Sequence, residues 1–181
     1  MLKVAITGNI ASGKSVLENY LQELGYKVFD TDKIAHEILE NNSEIKQIFG
    51  TLDRKEIAKI VFSNKDKLRQ LESIIHPKVK KEILKIFDLN EKLAFISVPQ
   101  LFETGFDELF DKIIFISADK DIRLKRLMKR NNLSEDEALQ RINAQVDENE
   151  KILKSNFVIY NNGEIKNLKE KILDLLNELS V

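Results

Sequence analysis

Eight consecutive residues, Gly8-Asn9-Ile10-Ala11-Ser12-Gly13-Lys14-Ser15, carry the spacing G-x-x-x-x-G-K-[ST]. Each fixed position has a task in holding phosphate. Glycines permit backbone angles that turn successive N–H groups inward, forming a cradle for oxygens. A helix opening at Lys14 adds the positive end of its dipole. The Lys14 ammonium can then reach β- and γ-phosphates, and the Ser15 hydroxyl can ligate magnesium. The motif follows a strand and opens a helix, which favours this reading over a plain glycine turn. The sequence therefore predicts binding of a nucleoside triphosphate.

Other residues narrow the class. A GTPase needs D-x-x-G, and no glycine here has Asp three positions earlier; Asn64-Lys65-Asp66 imitates N-K-x-D, but position 67 is Lys. A motor-type ATPase ends a second apolar strand in Asp, whereas the run from Leu93 to Val98 ends in Pro99. A small-molecule kinase needs an acceptor site and an arginine-bearing lid, and both have candidates. Asp30-Thr31-Asp32 closes the second strand, and ligands of doubly wound sheets bind beyond the carboxyl ends of strands. A carboxylate there can take a hydroxyl's proton or orient that hydroxyl toward phosphorus; equally, either aspartate can cap a helix starting at Lys33. Arg123, Arg126 and Arg130 share one helical face, Asn131-Asn132 breaks that helix, and Ser134-Glu135-Asp136-Glu137 starts another that carries Arg141 and Gln145. Arginines on such a hinged pair can close over phosphates, or they can form a solvated face paired with nearby acids. His76, next to Pro77, reads on its own as a core histidine or a cap, and His36 as a surface residue.

The elements that must position these groups follow from periodicity. Val4–Ile6, Lys27–Phe29, Leu93–Val98, Lys112–Ile116 and Phe157–Tyr160 are short apolar runs that read as strands. Lys14 to Leu24 has helical spacing, stopped by Gly25. Residues 33 to about 89 are mostly helical, broken at Gly50, with Pro77 beginning or kinking a helix to Phe87. Asp119 to Ser155 is a charged helical region, and Ile165 to Leu179 a final amphipathic helix. Strands alternating with helices predict an α/β fold: a parallel five-stranded sheet covered on both faces, interrupted by a helical insertion.

Composition agrees. With 181 residues, 43% hydrophobic and 33% charged, the chain is the size of one domain and can bury a core. Its 29 basic and 30 acidic residues leave a net charge of −1, so it is not built to coat nucleic acid or an anionic membrane. The absence of cysteine excludes disulfides, thiolate metal sites and cysteine nucleophiles. The N-terminus lacks a signal peptide's core and no apolar run reaches membrane-spanning length, so a cytoplasmic protein is expected.

Taken in order, these residues resemble the dephospho-CoA kinase family over almost the whole chain. The resemblance rests on Ile6 to Ser15; on Asp30-Thr31-Asp32-Lys33-Ile34-Ala35; on Asp53-Arg54, Val61-Phe62, Leu71-Glu72 and Ile75-His76-Pro77; on Val98-Pro99-Gln100-Leu101-Phe102-Glu103; on Arg126, Arg130, Arg141-Ile142 and Gln145; and on Val158-Ile159 with Asn161 and Gly163. Asn9 and Ala11 replace common loop glycines, Gln100 a leucine, Arg123 a frequent glutamine, and Ser155-Asn156 an Ala-Asp pair. The resemblance implies a single kinase-like domain: a P-loop core (about 1–32, 91–118 and 156–181), a helical CoA-binding insertion (about 33–90) and a lid (about 119–155). It implies phosphoryl transfer from ATP with magnesium to the ribose 3′-hydroxyl of dephospho-CoA, by a monomer or small homo-oligomer. Asp32, Lys14 and Arg141 would be catalytic. Residues 8–15, Val16, Arg126, Arg130 and Asn161 would hold ATP, with Ser15 on magnesium. Asp32, Arg54, His76, Pro99, Leu101, Phe102 and Glu103 would face the acceptor. The alternative is another P-loop small-molecule or nucleoside monophosphate kinase.

Overall fold

The computed structural model describes residues 1–89, 91–145 and 148–179. They form two units, Met1–Phe29 with Asn90–Val181, and Asp30–Leu89.

In the first unit, strand β1 (Leu2–Gly8) leads through the glycine loop into helix α1 (Lys14–Glu23). Strand β2 (Val28–Asp30) follows, and the chain returns later as β3 (Leu93–Ser97), β4 (Lys112–Ser117) and β5 (Phe157–Tyr160). The sheet order is β2-β3-β1-β4-β5, and the ladders β1–β3, β1–β4 and β4–β5 run parallel. β1 is central: Val4 pairs with Phe95 on one side, and Ile6 with Ile114 on the other. Parallel strands covered on both faces read as continuous apolar runs rather than alternating ones, which is why these strands were visible in the sequence. The core joins Val4, Ile6, Phe95, Ile114 and Ile116 of the sheet to Leu17 and Leu21 of α1 and to Leu168, Ile172 and Leu175 of the C-terminal helix (Ile165–Glu178).

Between β4 and β5 lie helices spanning Lys120–Asn131, Glu135–Asn143 and Glu148–Leu153.

The second unit contains α2 (Thr31–Glu40), α3 (Ser43–Phe49), α4 (Arg54–Ser63) and α5 (Lys65–Phe87). The helices between β4 and β5 are accordingly α6, α7 and α8, and the C-terminal one α9. Each of α2 to α5 starts on a side-chain cap, from Asp30, Asn42, Asp53 and Asn64 in turn. The unit has its own core of Leu39, Ile45, Phe49, Ile57, Leu71 and Ile74.

Two expectations change. Helix α2 begins at Thr31 rather than Lys33, because the Asp30 carboxylate accepts the Asp32 N–H at 2.8 Å and so nucleates the turn earlier. Of the two roles expected for Pro77, beginning a helix or kinking one, the first falls away: Pro77 lies inside the 23-residue α5, which ends at Phe87 as expected. An interior proline costs about 3 kcal/mol, but Leu71 and Ile74 before it and Val79, Ile83 and Ile86 after it are all buried. At roughly 1.5–3 kcal/mol for each buried side chain, that face outweighs the break.

Candidate phosphate site

The glycine loop needs its glycines for two separate reasons. Gly13 has φ +105°, and a Cβ there would lie 2.1 Å from the Asn161 side-chain nitrogen. At Gly8 a Cβ would meet the Ile116 carbonyl oxygen at 2.6 Å and the Ser12 hydroxyl at 2.8 Å. Ala11 also holds a left-handed φ of 61°, which for a non-glycine residue stores strain of order 1–3 kcal/mol. Ala11 persists there because it and Ile10 pack against the cluster of Leu127, Ala138 and Ile142 from α6 and α7.

Side chains from three directions hold the loop. The Asn161 side chain donates to the Ser12 carbonyl at 2.8 Å. The Arg126 guanidinium donates to the Asn161 carbonyl at 2.9 Å and to the Ser12 carbonyl at 3.4 Å. The Ile10 N–H donates to the Gln145 side-chain oxygen at 2.8 Å. Within this frame the Ser12 hydroxyl is buried with no hydrogen-bond partner among the described residues, a polar atom left over in the middle of a cradle.

Lys14 heads α1. Its ammonium donates to Glu18 one turn on and to the Ser97 hydroxyl at the end of β3, both at 2.6 Å. Ser15, the second residue of α1, is exposed. After β3, the Pro99 carbonyl accepts from the Thr7 hydroxyl at 3.5 Å. Leu101 is fully buried, so its side chain serves the core. Phe102 is half-buried with the Lys154 ammonium 5.8 Å from its ring centre, and Glu103 pairs at 2.6 Å with Lys151.

The arginines expected to share one face part company. Arg123 is buried, donating to the Ala118 carbonyl at 3.0 Å and to Glu148 at 3.3 Å. Arg126 braces the loop, as above. Arg130 is exposed and donates to Asn131 at 2.8 Å, and Arg141 is exposed on α7. Helical spacing put the three on a common stripe; how deep α6 sits decides which of them can meet a ligand. Asn132, at φ 50°, ends α6 as expected from Asn131-Asn132, and the Ser134–Glu137 capping box opens α7.

The remaining candidates belong to the second unit. Asp30 is the cap and Asp32 is exposed in the first turn of α2. Arg54 is exposed at the first position of α4, and His76 is half-buried within α5, so it is not a cap.

Sequence reasoning missed three residues at the loop. Glu18 was available from its i, i+4 spacing to Lys14. Ser97 and Lys151 carried no signal, since a strand-end serine and one lysine in a charged helix are both ordinary. Among the described residues no group of three or more His, Cys, Asp or Glu could hold a metal ion, and no helix is long and apolar enough to cross a membrane.

A parallel sheet with a glycine loop between its central strand and first helix, and a lysine at that helix's start, is a P-loop nucleotide-binding fold. The sequence profile of the dephospho-CoA kinase family matches residues 2–167. A dephospho-CoA kinase of Fusobacterium nucleatum is 38% identical, covering 93% of this chain and 94% of that one. Among solved structures, a Thermus thermophilus protein superposes with TM-score 0.87 at 35% identity, over 98% of this chain and 97% of its own. The dephospho-CoA kinase of Campylobacter jejuni gives TM-score 0.77 at 34% identity, over 98% and 96%. The chain belongs to the dephospho-CoA kinase family.

Proposed function

We propose that this chain transfers the γ-phosphoryl group of ATP to the ribose 3′-hydroxyl of dephospho-CoA, giving coenzyme A and ADP. The observation that carries the reading is the braced loop of residues 8–15 with Lys14 at its mouth, in a chain that matches its family nearly end to end. Phosphoryl transfer demands positioning and charge neutralisation more than covalent help from the protein. Loop N–H groups and the start of α1 offer donors to the β- and γ-phosphates, and Lys14 exchanges Glu18 for phosphate oxygen. As the P–O bond to the β-phosphate breaks and the bond to the 3′-oxygen forms, ADP departs. The hydroxyl's proton goes to Asp32, whose exposure leaves it open to an acceptor.

Magnesium is a hard cation that favours oxygen and keeps several waters. The exposed Ser15 hydroxyl beside the loop suits it, and nothing more than a hydroxyl, phosphate oxygens and water is required. It would supply charge neutralisation on the phosphates. Arg130 and Arg141, both exposed, are the arginines we assign to phosphate contact, while Arg126 and Asn161 act by holding the loop. Arg54, His76, Pro99 and Phe102 are assigned to the acceptor.

The test is ADP release from magnesium-ATP with and without dephospho-CoA, with the product checked for a new 3′-phosphate. Acceptor-dependent ADP with coenzyme A as product is expected. Nucleotide binding with no stimulation by dephospho-CoA would assign the chain another acceptor.

A further inference from the structure

Lys151 is the one lysine among the described residues whose side chain is almost wholly buried, at 3% exposure. An ammonium taken out of water is costly unless it is paired and hydrogen-bonded. Lys151 meets that condition with two partners from distant parts of the chain, the Glu103 carboxylate at 2.6 Å and the Asn9 side-chain oxygen at 3.3 Å. Asn9 is the first variable residue of the phosphate loop and is itself 4% exposed.

The next loop residue is tied to the same stretch of chain, since the Ile10 N–H donates to Gln145. Two successive loop residues, 9 and 10, are thus gripped by residues 145 and 151. Lys154, the residue just past the end of α8, lies over the ring of Phe102, so α8 and the residue that follows it meet the segment after β3 at two adjacent positions. The Lys151 carbonyl also accepts from the Ser155 hydroxyl at 2.7 Å, which secures the end of α8.

We propose that Lys151 is a positioning residue for ATP: it fixes the entry of the phosphate loop through Asn9, and Glu103 acts by holding Lys151 rather than by touching the acceptor. The inference rests on the phosphotransfer reading above and replaces the acceptor role that the family resemblance implied for Glu103. It also explains Asn9. A glycine there would leave the lysine with one partner and the loop without its tether; asparagine supplies the oxygen.

The test uses the full chain, direct titration with a non-hydrolysable ATP analogue, and steady-state kinetics against both substrates. Lys151→Met should weaken analogue binding and raise KM for ATP about tenfold or more, as expected for losing a charge-assisted hydrogen bond, with KM for dephospho-CoA unchanged. Glu103→Gln, at a partly exposed site, should shift the same two quantities in the same direction. Asn9→Gly combined with Lys151→Met should be no worse than Lys151→Met alone, because both remove one link. If Lys151→Met does not fold, Glu103→Gln and Asn9→Gly decide the matter. Unchanged analogue binding in these variants, or a Glu103→Gln effect confined to KM for dephospho-CoA, overturns the proposal. Analogue binding needs no acceptor, so an inactive parent enzyme would sink the proposed reaction while leaving this test intact.

Discussion

Gly13 is the residue where backbone and neighbours make the same demand. A methyl group would need a left-handed φ, costing about 1–2 kcal/mol, and would displace the Asn161 amide that supports Ser12. Gly13→Ala should therefore lower the melting temperature and weaken nucleotide binding together, and adding Asn161→Ala should relieve the collision without restoring affinity. Equal analogue binding by Gly13→Ala and the parent would contradict this. Asp32 makes a cleaner chemical case. Asp32→Asn keeps the shape and removes the proton acceptor we propose, so kcat should fall roughly 10²- to 10⁴-fold with ATP binding retained; turnover at the parent rate would remove Asp32 from the chemistry. Both residues were singled out from sequence because motif spacing encodes local geometry. What spacing left open was which aspartate caps α2, and what it could not convey was that Lys14 also meets Ser97. The first depends on where the helix starts, and the second on a side chain brought alongside by β3.

At the scale of single elements, α7 shows how a local signal can fix a boundary. The Glu137 carboxylate accepts the Ser134 N–H and the Ser134 hydroxyl, each at 2.9 Å. These bonds, the backbone one first, and then the nearby Arg141 charge hold its carboxyl below the usual carboxylate value. A carboxyl depressed in the folded state stabilises above its unfolded pKa and loses that contribution as the pH falls through the folded value. The cap's contribution should thus be constant at neutral pH and fade below about pH 4.3. Comparing Glu137→Gln with the parent by thermal melts from pH 7 to pH 3 checks this: the gap should narrow on acidification. A gap independent of pH would mean the charged form gives α7 nothing. The capping box was legible because all its atoms lie within four residues. Pro77 left two roles open for the opposite reason, since the burial that carries α5 through it comes from α5's long-range packing. Arg123, Arg126 and Arg130 teach the same lesson, because a helical stripe says which side chains align and not how deep the helix lies.

For the whole molecule, the five strands and their parallel sheet were the most legible layer, since buried parallel strands appear as plain apolar runs; their order in the sheet was not read from the sequence. The second unit was legible only as a long helical stretch between two strands, and we assign the acceptor to it. That assignment makes a measurable claim in hydrogen exchange. An ATP analogue should slow exchange at the amides of residues 8–16, and dephospho-CoA should slow it within Asp30–Leu89, where Asp32, Arg54 and His76 reside. An acceptor that leaves the amides of Asp30–Leu89 unchanged would argue against acceptor binding there.

The whole Asp30–Leu89 unit is a single excursion between β2 and β3, which are neighbours in the sheet. Nothing in the strand register around β1 depends on how long that excursion is, and doubling a connection's length adds only about 0.6 kcal/mol of closure cost. The fold thus behaves as a socket with an exchangeable cartridge. Residues between β2 and β3 can therefore be added, removed or rewritten at little cost to the sheet that carries the phosphate loop.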